Sequence, residues 1–515
     1  MNFYKLPPDA QKEVSLKRLI RYIQKVIYPY HPYLRRRYAD EGIDVGGLRT
    51  YEDITRLPVV KKQDYRADPR AFILQPKFPG REDAAAYDTA RIAPGFLLKY
   101  AWQALTNRPR DFAHLYRPLT FLTGKVGRRA ALEWMPVHFH ASAGTTGDPT
   151  PAVYTWYEFN RIVPILAASI FTEPKDRDKT LPRVEWTDRT MNLFPGVPHL
   201  AFFQTVITKL VLGMSAFDTC GGKVIPTERQ VEIFAEGGFN GAVAIPSYFV
   251  YWLRTAVEML REGRIGKMPH FQGAVLGGEP VSDKLKAYFK ELAAELGAHP
   301  NFMVIESMGM TEMKWAFTEC REGMKTHLDP RFFYWECLDK DTMAPVGEGE
   351  EGVLVFSHVG WRGTAFIRYW TGDLIRGGIV WDRCPYCRLT YPRLFGPIMR
   401  AEKDFTKLKG TRVSLLDLVA SVRDTEGVSS FQVVMDKEAA GDEFSRDILK
   451  VRLSVKQGFK DSDVERRVKA NVKAVTEVTP DVVVFERNEE KFRAELFEGA
   501  GVKARHVVEN RPVHI

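Results

Sequence analysis

The sequence predicts an α/β protein: a large N-terminal domain of mostly parallel sheets flanked by helices, a β-rich subdomain, and a small α+β C-terminal domain. Three observations support this. From residue 150 to 320, short apolar runs ending in Gly/Pro turns alternate with helical segments, the β-α-β rhythm of a mostly parallel sheet. Residues 351–381 change to short strands with Gly turns, "EGVLVFSHV", "FIRYWTGDLIRG" and "GIVWDR", which fit an antiparallel unit. After "KDFTKLKG" (403–410) come helix, strand, strand, helix and strand within about a hundred residues, enough for one compact domain.

Each element has a local reason. Residues 14–40 read as an amphipathic helix interrupted near Pro29 and Pro32, because proline removes a donor and clashes with the turn before it. "YEDITRLPVVKKQDYRAD" follows as a short helix, a turn at Pro58 and a second helix start. Residues 77–136 are less regular and read as a basic helical insertion. In it Phe96, Leu97, Tyr100, Ala101, Ala104 and Leu105 fall at helical spacing among many Arg and Lys residues. A basic amphipathic helix can lie on an anionic membrane, so 91–130 is the segment for any peripheral contact. The favoured reading is a helical excursion packed on its own domain. "GAVAIPSYFV" and "GAVLGGEP" read as buried strands. "SDKLKAYFKELAAELG" reads as a helix capped by Ser282 or Asp283 and stopped at Gly297. "NFMVIESMGMTE" reads as strand then loop.

At 515 residues the chain is long enough for two to four domains or subdomains. A formal net charge of +9 suits a phosphate-rich ligand. The positive charges form no dense tail, so no nucleic-acid partner is expected. Nothing in the sequence is apolar for long enough to span a bilayer, and the N-terminus lacks a secretory pattern, so a cytoplasmic location is expected. Five cysteines make no disulfide framework.

The stretch "HFHASAGTTGDPTPAVYT" (138–155) gathers backbone donors and hydroxyls in one short loop. Its glycines allow close backbone approach, and its N–H and hydroxyl groups could wrap an anion. No Gly-Lys-Ser/Thr follows, so it is not the usual P-loop. Further along come "GGEPVS", "ESMGMTE", "RYWTGD", "KDFTKLKG" and "GVKARHVV". In this order and at these spacings, the six stretches resemble the acyl-adenylate-forming superfamily, and most closely its phenylacetate–CoA ligase-like group. The opening "LIRYIQKVIYPYHPYLRRRYADEGIDVGGLRTYEDITRLPVVKKQDYR" is similar to that group's "LEDLxxLPxTxKxDLR" region. The resemblance covers most of the chain except the insertion.

The resemblance implies an enzyme that uses ATP and Mg²⁺ to convert a carboxylic acid to acyl-AMP and passes the acyl group to CoA, releasing AMP and pyrophosphate. The triphosphate must be neutralised with its α-phosphorus facing the carboxylate. Ser142, Ala143, Gly144, Thr145, Thr146 and Gly147 would cradle the β/γ-phosphates, with Ala143 replacing a usual hydroxyl. Gly278, Glu279 and Pro280 would line the adenine pocket with Ser307 and Met308 of the run that Glu306 opens. Thr311 would lie near the α-phosphate, Glu312 would bind Mg²⁺, and Asp373 would accept from the ribose hydroxyls. The ribose arginine is assigned to Arg400, one residue off the usual place, with Arg393 as the other candidate. The hinge falls near Lys403, dividing a core of 1–402 from a mobile C-terminal domain of 403–515. Lys503 would reach the α-phosphate and carboxylate during adenylation.

The acyl pocket is expected among Phe194, Pro198, Phe202, Tyr248 and Gly277, with Phe249 beside them. Such an apolar, aromatic lining suits an aryl or arylacetic acid. An alternative keeps the adenylation and passes the acyl group to an amine, a carrier-protein thiol or a protein cysteine. "CPYC" at 384–387 is by itself open to redox or incidental readings. With Cys320 and His327 upstream, and by resemblance to group members that hold zinc, Cys320, His327, Cys384 and Cys387 are expected to bind a structural Zn²⁺. A homodimer is compatible with the sequence, which names neither the acid nor the oligomeric state.

Overall fold

Apolar runs bounded by glycine build the central sheet. Its strands lie in the order Ser215–Asp218, Arg189–Asn192, Gly241–Ala244, Gly273–Gly277, Met303–Met310 and Trp315–Thr318. All neighbours are parallel except the last pair, a hairpin. The computed structural model describes residues 3, 6–75, 134, 136–141, 150–172, 188–196, 199–222, 224–400, 405–409, 411–439, 445–497 and 504–511. Apart from Trp134 and Pro136, the 77–136 insertion lies outside them.

Helix Pro246–Arg261 corrects the expectation that "GAVAIPSYFV" is one strand: the strand stops at Ala244. Pro246 occupies the first turn, where its missing N–H costs nothing and its fixed φ favours the helix. Phe249, Trp252, Leu253 and Ala256 then fall on one face and are fully buried. Helix Asp283–Glu295 begins as expected: Ser282 Oγ accepts the Leu285 N–H at 3.2 Å, and Gly297 closes it at φ 70°.

The N-terminal helix starts at Pro8, earlier than expected, and runs to Tyr22, continuing through a π-helical turn at Ile23–Ile27. The chain breaks at His31 and resumes as Pro32–Asp40, with His31 Nδ1 capping by accepting the Leu34 N–H at 3.1 Å. Leu19, Ile23, Ile27, Leu34 and Tyr38 seat this arm in the largest core, with Phe333, Phe356 and Trp361 of the β-rich region. That region contains the antiparallel sheet Phe333–Leu338, Gly352–His358, Tyr369–Ile375 and Ile398–Arg400.

Toward the C-terminus, the strands Val482–Phe485, Asp447–Val455, Val428–Lys437 and Val507–Glu509 form one sheet in that order. Helices Leu415–Arg423 and Asp461–Thr476 bury Leu418, Val422, Val464, Val468 and Val472 against it, a core separate from those of the preceding residues. This unit contacts the central-sheet domain through polar groups and through the rings of Tyr251 and Phe497, 5.9 Å apart. Arg254 Nη2 donates to the Ser429 carbonyl at 3.3 Å, Arg423 Nη2 to Ser282 Oγ at 3.1 Å, and Lys284 Nζ to the Asp424 carbonyl. Among the described residues, no helix is long and apolar enough to cross a membrane.

Three buried histidines carry a pH consequence. His31 donates from Nε2 to the Ala365 carbonyl at 3.0 Å, and burial lowers its pKa to about 4. Burial likewise lowers His140 to about 3 and holds His358 well below the ordinary range. Below about pH 6.5 the unfolded chain takes up protons that the folded one refuses, so stability is lost as pH falls toward 4. The urea midpoint is expected to drop from pH 7.5 to pH 5, and His31→Gln to make that drop shallower. An unchanged pH dependence in the variant would contradict this origin.

Candidate active site and metal centre

The carboxyl ends of the parallel strands carry the glycine-bearing turns, as ligand loops of open α/β sheets do. Gly277 ends its strand against Ser307, where a Cβ would meet the Ser307 carbonyl oxygen at 3.1 Å. Gly278 follows at φ 87°, a conformation that glycine adopts without strain. Glu279 is then held by the start of helix Pro246–Arg261: Ser247 donates its N–H to Oε2 at 2.9 Å and its hydroxyl to Oε1 at 3.0 Å.

"ESMGM" is not the expected loop. Met303–Met310 is one long strand paired with Trp315–Thr318, so Glu306, Ser307 and Met308 are strand residues. Gly309 is obligatory there, since a Cβ would come within 2.4 Å of Ala316 Cβ. The irregular part shrinks to the four-residue turn Thr311–Lys314, closed by Lys314 N–H to the Thr311 carbonyl at 3.1 Å. Glu306 pairs with Lys286 at 2.5 Å. Glu312 is buried, and its Oε1 lies 3.1 Å from Lys62 Nζ.

Asp373 is buried on strand Tyr369–Ile375, and its N–H bonds Thr371 Oγ1 at 2.9 Å. In register it faces Arg400, whose backbone alone is described. Arg393 is committed elsewhere: its guanidinium pairs with Asp382 (Nη2–Oδ1 2.5 Å) and donates to the Met324 carbonyl at 2.9 Å. Ser142 to Gly147, Pro198, Lys403 and Lys503 lie outside the described residues. Ala504, next to Lys503, is placed. Its N–H donates to Ser247 Oγ at 3.4 Å, the same hydroxyl that binds Glu279.

Phe194 and Tyr248 lie in the core of the central-sheet domain, with Phe202 half-buried against it. The Tyr248 hydroxyl donates to Gln230 Oε1 and accepts from Thr227 Oγ1, both at 3.1 Å. Phe249 is fully buried among Trp252, Phe271 and Phe289.

Sequence reasoning missed Lys62, although the lysine of the quoted "LPxTxKxDLR" pattern falls on it. It also missed His140 and Phe203. His140 Nε2 donates to the Thr311 carbonyl at 3.3 Å, while Phe203 stacks on His138 at 3.8 Å between ring centres. Alternation along strand Pro136–Ala141 puts both histidines on one face, a signal present in "HFH".

Cys320, His327, Cys384 and Cys387 converge, with all four ligand atoms within 4.8 Å of one another. Cys320 Sγ lies 3.7 Å from Cys384 Sγ, and Cys387 Sγ lies 3.3 Å from His327 Nε2. A tetrahedron with metal–sulfur bonds of about 2.3 Å has edges of about 3.8 Å, so the cluster fits a tetrahedral ion. His327 Nδ1 donates to the Lys325 carbonyl at 2.9 Å, which leaves Nε2 as the ligand atom. The knuckle that brings Cys384 and Cys387 together is tied by Arg388 N–H to the Cys384 carbonyl at 3.1 Å and by Cys384 N–H to the Leu389 carbonyl at 2.8 Å.

No family profile matches the chain. The chain is 26% identical over 459 residues to phenylacetate-coenzyme A ligase of Thermus thermophilus, covering 86% of this chain and 81% of that one. Against the Pseudomonas putida protein of the same name it is 23% identical over 379 residues, covering 72% and 67%. Among solved structures, 2-hydroxyisobutyryl-CoA ligase in the postadenylation state with R3-HIB-AMP gives a TM-score of 0.69 at 18% identity, covering 99% of this chain and 91% of that one. The same ligase with 2-HIB-AMP and CoA in the thioesterification state gives 0.55, with the same coverage and 19% identity. Fold and sequence together define a member of the acyl-adenylate-forming superfamily. Within it, the likeness is to the phenylacetate–CoA ligase-like group.

Purified protein is expected to carry one divalent metal ion per chain. Cys384→Ser combined with Cys387→Ser should release it, read by elemental analysis, and lower the thermal midpoint. A wild-type protein that binds no stoichiometric metal after zinc supplementation would contradict the assignment.

Proposed function

We propose that this chain is an ATP-dependent acid–CoA ligase that activates a carboxylic acid as acyl-AMP and transfers the acyl group to CoA. The observation that carries the reading is the bond from Ala504 N–H to Ser247 Oγ. It seats the residue after Lys503 on the hydroxyl that orients Glu279 of the "GGEP" turn. A lysine arriving there on a long flexible stem can follow charge from the carboxylate to the α-phosphate. Asp373 would accept from the ribose hydroxyls, with Arg400 opposite it in register as the assigned arginine. The commitment of Arg393 to Asp382 supports that choice. Gly278, Glu279, Pro280, Ser307 and Met308 would frame the adenine.

Glu312 would hold Mg²⁺, a hard ion suited to carboxylate oxygen, and Thr311 would lie at the α-phosphate. Lys62, beside Glu312, would add positive charge on the phosphate side. Mg²⁺ when bound supplies charge neutralisation at the phosphate oxygens. The loop Ser142–Gly147 would cradle the departing pyrophosphate. The cysteine–histidine cluster would hold Zn²⁺ as a structural ion away from the chemistry, its four positions filled by protein. An aryl or arylacetic acid is the proposed substrate class, supported by the aromatic residues Phe202, Phe203 and His138 near the strand ends.

Pyrophosphate release across aryl, arylacetic and fatty acids, with and without CoA and with mass detection of acyl-AMP and acyl-CoA, tests the reading. A CoA-dependent thioester from an arylacetic or aryl acid is expected. Acyl-AMP formation indifferent to CoA would move the acceptor to an amine or carrier thiol. Lys503→Ala should cut acyl-AMP formation by on the order of 10²–10³-fold while leaving the thermal midpoint nearly unchanged.

A further inference from the structure

The turn Thr311–Lys314 carries the two side chains assigned to the phosphates, and three of its carbonyls are clamped. Thr311 O accepts from His140 Nε2 at 3.3 Å, Met313 O from His358 Nε2 at 3.3 Å, and Lys314 O from the Tyr154 hydroxyl. His358 Nδ1 accepts the Phe366 N–H at 3.1 Å, which fixes its proton on Nε2. The turn ends in a left-handed residue that is not glycine: Lys314 has φ 62°. Such a backbone costs energy for a long side chain and persists only where its surroundings over-determine it.

Those surroundings are unusual. Lys314 and Glu158 form an ion pair of 2.7 Å with both side chains 0% exposed. Lys314 Nζ also donates to the Val153 carbonyl at 2.8 Å and the Thr364 carbonyl at 3.1 Å, and sits over the rings of Trp361 (4.4 Å) and Tyr154 (4.9 Å). Glu158 accepts from the Arg362 and Gly363 N–H groups, each at 2.9 Å, and from the Thr155 N–H. Val153, Tyr154 and Thr155 belong to strand Pro151–Thr155, just after the Ser142–Gly147 loop. One buried cation therefore ties the turn bearing Thr311 and Glu312 to the exit strand of the loop assigned to the β/γ-phosphates. A buried pair of this kind is a poor device for stability alone, because well-packed apolar residues commonly do as well.

We propose that Lys314, Glu158 and Tyr154 are positioning residues for adenylation, holding the Thr311–Glu312 turn at a fixed place against strand Pro151–Thr155. The proposal rests on the ligase reading above. It separates the two half-reactions. Forming acyl-AMP needs the turn that carries Thr311 and Glu312 aligned on the triphosphate. Thioester formation from supplied acyl-AMP has no β- or γ-phosphate to align. A misplacement of about 1 Å costs on the order of 10²-fold in a step that depends on alignment.

The test compares both half-reactions in wild type, in Tyr154→Phe, and in the double variant Lys314→Met with Glu158→Gln. The double variant removes both charges together, so neither is left buried alone. All assays run well below each variant's thermal midpoint. The double variant is expected to lose on the order of 10²-fold in kcat for acyl-AMP formation. Its KM for the acid should stay within about threefold, because the Lys314 and Glu158 side chains are fully buried and out of reach of a ligand. CoA thioesterification of supplied acyl-AMP should stay within about twofold. Tyr154→Phe deletes only the hydroxyl at the Lys314 carbonyl and should show the same split at about tenfold, which keeps the test alive if the double variant does not fold. Equal losses in both half-reactions, or none in either, would overturn the positioning role. Wild type that makes no acyl-AMP from any acid would instead sink the ligase reading itself.

Discussion

A lysine and a glutamate, both fully removed from water, join parts of the chain far apart in sequence. Glu158 stands in the first turn of helix Trp156–Arg161, and Lys314 ends the turn that carries Glu312. Leaving either charge alone there would cost several kcal/mol, so each demands the other together with its full set of hydrogen bonds. Burial lowers the Lys314 pKa to about 8, and Glu158 pulls it upward. The surrounding geometry follows from satisfying this pair. Trp361 and Tyr154 offer ring faces to the ammonium, and Arg362 and Gly363 turn their N–H groups toward the carboxylate. Gly363 comes so near that a Cβ would sit 2.1 Å from the Val153 carbonyl oxygen.

The contacts of the C-terminal unit differ in kind. Its bonds to the central-sheet domain use side chains at least partly open to water, such as Arg254 and Arg423. Such bonds contribute about 0.5–1.5 kcal/mol each and exchange readily for water. A firm anchor within the large domain and a polar seam at the small one suit the proposed division of labour. In that proposal the phosphate side would stay aligned while the domain carrying Lys503 would come and go. The Ala504–Ser247–Glu279 chain of bonds is where that seam reaches the "GGEP" turn.

Some features were legible because their causes lie within a few residues. Ser282 and Gly297 mark the ends of one helix, and the helix and strand order of the C-terminal unit follows from short-range periodicity. The cysteine–histidine cluster was legible because the ligand types are scarce and chemically specific. Other features were not. "GAVAIPSYFV" reads as apolar throughout, and periodicity alone does not separate a buried strand from the start of a buried helix. The length of strand Met303–Met310 depends on pairing with Trp315–Thr318, which turns a presumed loop into sheet. Arg393 and Arg400 look alike in sequence, and only the pairing of Arg393 with Asp382 separates them.

The sequence by itself determined the α/β class, the order of the motifs, the superfamily they resemble and the members of the cysteine–histidine cluster. Each of these rests on residue type and local spacing. The tertiary structure alone decided that Lys62 stands at Glu312, that Asp373 faces Arg400 in register, and that Lys314 and Glu158 neutralise each other in the dark of the core. The physical reason is desolvation. In water a lysine is one solvated cation among many, and its partner is settled only when folding removes the water and leaves a single carboxylate within reach.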